Sequence, residues 1–144
     1  MTDPDEGRAE LRAVLDTSAM LSYARPHVHV GELISEIAHE DAFVGVPAMA
    51  LVDAHARVIG DEIAQARLWT LVTLPAVRVL PLSDEIDAED VASVVPLVDG
   101  DLARAQAVWE ALDHDAYFVT TQPETAPTAL GRHQIHTIPT DDIP

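Results

Sequence analysis

The chain has 144 residues, 48% of them hydrophobic, with 25 acidic side chains against 8 arginines, no lysine and a formal net charge of −17. That length suits one domain, no apolar run approaches the roughly 18 residues of a membrane helix, and the absence of cysteine excludes disulfides, Cys-ligated zinc and thiol catalysis. So few cations disfavour a phosphate backbone, whose binding rests on Lys and Arg, and the acidity reads as a solvated surface or as an attraction for cations or a basic partner.

Residues 1–10 form an acidic leader, expected to be flexible, without the basic start and apolar core of a secretory signal. Residues 11–144 are expected to form the single domain, and the expected location is the cytoplasm. Arg12 to Leu15 is a short apolar run that stops at Asp16, after which Thr17 and Ser18 open a helical stretch to Tyr23, one of the two hydroxyls serving as its N-cap. Pro26 ends that helix. Val30, Leu33, Ile34, Ile37 and Ala38 recur at helical spacing. Phe43-Val-Gly-Val46 reads as a buried strand, and Pro47 suits the first turn of the helix after it.

The next helical pattern runs from Ala48 to about Ile59, Gly60 and Asp61 supply a stop and a fresh cap, and a further helix extends from about Glu62 to Leu74. Its Leu68-Trp-Thr-Leu-Val72 segment is broadly apolar, which suggests a homodimer contact, although a buried core helix would look the same. Val77 to Leu80 is a third strand. Asp84 to Asp90 is an acidic helix start, favoured by the helix dipole. Leu102, Ala105, Trp109 and Leu112 mark the face of the next helix, Tyr117 to Thr120 is the fourth strand and Ile135 to Ile138 the fifth. Strands alternating with helices predict right-handed crossovers and a central, mainly parallel sheet of four or five strands, with helices on both faces. Ligands in such sheets bind at the carboxyl ends of strands, so Asp16 and Gln122 are expected at one edge.

The segment Ala13-Val-Leu-Asp-Thr-Ser-Ala-Met-Leu21, together with Val46-Pro-Ala-Met-Ala-Leu-Val-Asp53 and the helix-to-strand unit from about Asp101 to Pro123, resembles the PIN-domain family of Mg²⁺/Mn²⁺-dependent ribonucleases, and within it the VapC-type toxins of bacterial toxin–antitoxin pairs. The resemblance implies a PIN-like three-layer α/β/α fold, RNA as substrate, a protein partner such as an antitoxin, a homodimer, and four acidic residues at the sheet edge holding Mg²⁺ or Mn²⁺ to activate water. Asp16 matches the first of the four, with Thr17 and Ser18 supporting it, and Asp53 stands where the family usually has glutamate. The other two positions depart from the pattern: the third falls on Arg104 and the fourth on Gln122.

Asp101, one helical turn before Arg104, is either a substitute carboxylate or a helix N-cap, and Asp99 is a poorer candidate. The catalytic and metal-binding set is therefore Asp16, Asp53 and Asp101, with weak or absent metal binding expected, because an Arg104 bridge to Asp16 or Asp53 would supply the charge that a metal supplies elsewhere. Two functions follow: an attenuated, toxin-like endoribonuclease, or a catalytically inactive PIN-like protein acting through protein–protein binding. His27 and His29, with His55 or His133, are a competing transition-metal set, but no H-E-x-x-H spacing accompanies them. Ser/His/Asp catalysis lacks its G-x-S-x-G turn.

Overall fold

The computed structural model describes residues 10–25 and 27–140. The acidic leader, apart from Glu10, and the helix stop assigned to Pro26 lie outside the described residues. The elements are β1 (Leu11–Leu15), α1 (Thr17–Ala24), α2 (His29–His39), β2 (Phe43–Pro47), α3 (Ala48–Arg57), α4 (Glu62–Thr73), β3 (Val77–Leu80), α5 (Glu85–Val94), α6 (Leu102–Asp113), β4 (Tyr117–Thr120) and β5 (Ile135–Thr137). Among the described residues the five strands form one sheet in the order β3-β2-β1-β4-β5, and every pairing is parallel. This is the PIN-like three-layer α/β/α architecture expected above.

Sheets covered on both faces need apolar side chains in both directions, which is why the strands read as apolar runs rather than alternations. On one face Ala13, Leu15, Val44, Val46 and Val119 meet α1, α2 and α4 through Met20, Ile34, Leu68 and Leu71. On the other, Val14 and Phe118 meet α5 and α6 through Val91, Val94, Val108 and Ala111. Leu11 joins Val14 on this second face, although strict alternation would put it with Ala13. The β1–β2 register shifts between Leu11 and Ala13, and the irregularity turns Leu11 over. Gly45 lies beneath it: a Cβ there would come within 2.5 Å of Leu80 Cδ1 and 2.9 Å of Leu11 Cδ1, so glycine lets these two side chains close over β2 where any other residue would push them aside.

Three local expectations are corrected. The N-cap of α1 is Asp16, not Thr17 or Ser18, because the carboxylate at the strand end already reaches the free N–H groups. Pro47 is itself the N-cap of α3 and the last residue of β2. The buried face of α6 consists of Ala103, Ala105, Gln106, Ala107, Val108 and Ala111, while Leu102 is exposed and Trp109 and Leu112 are partly buried. Small side chains face inward because α6 packs at once on α5, α3 and the sheet. The Leu68–Val72 segment is not a free face either: Leu68 and Leu71 are fully buried, Val72 packs against the core, and only Trp69 and Thr70 are exposed.

Candidate functional site

Asp16 follows β1, and its N–H donates to the Val119 carbonyl at 3.1 Å, which ties the strand end to β4. Its Oδ1 accepts from the Ala19 N–H at 2.9 Å and from Ser18 Oγ at 2.6 Å. Ser18 Oγ in turn accepts from the Thr121 N–H at 2.9 Å and lies 3.2 Å from Thr120 Oγ1, which accepts from the Gln122 N–H at 2.9 Å. The hydroxyls thus stitch the β1–α1 junction to the end of β4. Asp16 is 3% exposed. Burial pushes its carboxyl pKa above the ordinary value, against hydrogen bonds from Ser18, Thr120 and the Ala19 N–H and the positive charge of Arg104.

Two helices supply the opposite wall. Asp53 lies within α3, and Arg57, one turn later, donates from Nε to Asp53 Oδ1 at 3.1 Å. Asp101 caps α6 through Oδ1, which accepts from the Arg104 N–H at 2.9 Å, while Asp101 Oδ2 lies 3.3 Å from Arg104 Nη1. The Nε of Arg104 is buried and has no hydrogen-bond partner among the described residues. Gln106, fully buried, sets the spacing of these helices: its Oε1 accepts from the Met49 N–H at the start of α3, and its Nε2 donates to the Leu80 carbonyl at the end of β3, both at 2.9 Å.

All seven residues singled out from the sequence meet here. Asp16, Thr17, Ser18, Asp53, Asp101, Arg104 and Gln122 line one cavity of about 120 Å³ at the carboxyl edge of the sheet. Asp101 is both N-cap and pocket residue; Asp99, at the left-handed turn before α6 with φ of 54°, is not in its lining. The expected bridge from Arg104 to Asp16 or Asp53 does not form. Arg104 starts the same helix that Asp101 caps, so its nearest carboxylate is Asp101, and it acts on Asp16 only through its charge. Asp53 is taken by Arg57, a pocket residue that the sequence reading missed. The signal was present as an i, i+4 acid–base spacing. A larger cavity of about 810 Å³ lies near the opposite, amino-terminal end of the strands, among Ile34, Ala38, Phe43, Leu74 and Ala76, away from these groups.

The pocket does not fit a divalent ion. Mg²⁺ demands several oxygen ligands at about 2.0–2.1 Å in near-octahedral geometry. Among the described residues no three His, Cys, Asp or Glu side chains converge closely enough to hold a metal, those of the histidine set included. Two guanidiniums stand among the three aspartates instead.

No protein-family profile matches the chain, and no curated protein does. Solved structures do resemble it, two of which show the extent of the likeness. One is a chain of a toxin–antitoxin complex from Klebsiella pneumoniae, with a TM-score of 0.59 and 15% identity, covering 87% of this chain and 96% of that one. The other is PAE2754 from Pyrobaculum aerophilum, with a TM-score of 0.59 and 15% identity, covering 80% and 77%. The fold is theirs. At such identity the likeness speaks for backbone architecture and not for chemistry. No helix among the described residues is long and apolar enough to cross a membrane.

Proposed function

We propose that this chain is a PIN-like protein of toxin–antitoxin type that does not cleave RNA by metal catalysis and works by binding another protein. The observation that carries this reading is Arg104, which stands in the pocket at the third acid position of the PIN pattern and pairs with Asp101. A fixed guanidinium there repels an incoming divalent ion and occupies one of the carboxylates that would hold it. Gln122, neutral at the fourth position, adds no charge to bind a metal. The net charge of −17 further opposes RNA. In favour of a protein partner are the apolar side chains on α3, α4 and the turn between them: Val52, Ile59, Ile63 and Trp69 are 66–78% exposed, which leaves apolar area on these neighbouring elements for a partner to cover. The structural likeness to a chain from a toxin–antitoxin complex agrees with that role by analogy of fold.

The test is ribonuclease activity on mixed RNA with Mn²⁺ present or withheld, for the wild type and Asp16→Asn. The expected result is no Mn²⁺-dependent cleavage by either protein. Cleavage that needs Mn²⁺ and disappears in Asp16→Asn would replace this reading with the attenuated toxin-like endoribonuclease, with Asp16, Asp53 and Asp101 as its metal ligands.

A further inference from the structure

The pocket holds its cations unequally. Arg104 is anchored: its side chain is 23% exposed, its backbone N–H is bound by the Asp101 cap, and its Nε is buried. Arg57 is exposed over 59% of its side chain and is attached only through Nε to Asp53, four residues earlier on α3. The simplest account of Arg57 is a solvent-facing i, i+4 pair with little consequence. Its position argues otherwise. Asp53 is 28% exposed and lines the same small cavity as Asp16 and Asp101, and Arg57 lines it as well. The guanidinium therefore occupies one oxygen of Asp53 and adds a second positive charge to the α3–α6 wall that already carries Arg104, since the two helices pack on each other.

Asp16 offers little compensation. Its Oδ1 is already shared by the Ala19 N–H and the Ser18 hydroxyl. Of the three aspartates, one is enclosed and held by neutral donors, and each of the others has its own arginine. Restoring acid at the two departed positions would leave one of the carboxylates still covered.

We infer that Arg57 is a second tethered counter-cation of this pocket, which excludes divalent ions together with Arg104 and becomes the residue that sets cation affinity once Arg104 is removed. This rests on reading the pocket as one that holds no metal in the wild type, and it is tested by ion binding rather than by RNA cleavage, so the two can fail separately.

Isothermal titration with MnCl₂ compares four full-length chains: wild type, Arg57→Ala, Arg104→Asp/Gln122→Asp, and the triple variant that adds Arg57→Ala to that pair. Stoichiometric binding is expected only where Arg104 has been replaced, and the triple variant should bind roughly tenfold or more tightly than the double, as expected for removing a like charge from a partly buried site. Arg57→Lys in the double background keeps the charge and should hold affinity at the double variant's level. Equal affinity of the double and triple variants would overturn the inference and return Arg57 to an idle surface pair, as would tight stoichiometric uptake by the wild type. Should the added aspartates prevent folding, Arg104→Ala compared with Arg57→Ala/Arg104→Ala puts the same question with no new carboxylate.

Discussion

The two walls of the pocket hold their aspartates by different means. At the β1–α1 junction Asp16 is almost fully enclosed and fixed by neutral donors, the Ser18 hydroxyl and the Ala19 N–H, within a network that reaches Thr121 and Gln122. On the α3–α6 wall Asp53 and Asp101 are partly exposed and fixed by guanidiniums from their own helices. The difference teaches where rigidity and where charge reside. Hydrogen bonds to a buried carboxylate are costly to lose because the groups left behind find no water, whereas exposed ion pairs are screened and loosely held.

The comparison breaks first, if it is wrong, at Ser18. Ser18→Ala removes a donor to Asp16 and leaves the Thr121 N–H without its acceptor, so urea denaturation should show a loss of about 1–3 kcal/mol. A loss within experimental error would mean that water takes over and that this wall is not enclosed.

Asp16 itself gives the pH test. A carboxyl whose pKa is raised by burial in the folded state is most favourable to folding when protonated, so its contribution is complete at low pH and lost as pH rises through the folded value. Asp16→Asn keeps an oxygen for the Ala19 N–H and carries no charge. Its thermal midpoint should therefore exceed that of the wild type at neutral pH, with the gap closing as the solution is acidified. A wild type more stable than Asp16→Asn at neutral pH, losing that advantage on acidification, would show that Asp16 is stabilised as a carboxylate after all.

On the other wall the effects should be smaller. Asp101→Ala removes the N-cap of α6 and is expected to cost about 1 kcal/mol by the same denaturation measurement. Arg57→Ala removes a largely exposed pair and should change stability by no more than about 0.5 kcal/mol. A larger loss at Arg57 than at Ser18 would invert the contrast between the walls.

The sequence by itself determined the order of elements, the parallel sheet and the edge at which the chemistry-bearing residues gather. Apolar runs such as Ala13–Leu15 and Val44–Val46 fit only a sheet covered on both faces, and strand-then-carboxylate junctions place Asp16 and Gln122 at one end of it. Tertiary structure decided three things that linear spacing does not encode. It buried Leu68 and Leu71 and left Trp69 in solvent, because the rotation of α4 against α1 selects which side of its apolar Leu68–Val72 segment faces the core. It turned the Ala/Val side of α6 inward together with Gln106, since a helix wedged between α5, α3 and the sheet buries mostly small side chains and leaves Leu102 outside. And it decided which arginine meets which aspartate: charge was readable at every position, but an ion pair forms with whichever carboxylate lies within reach in space, and for both Arg57 and Arg104 that was the one a turn earlier on the same helix end or face.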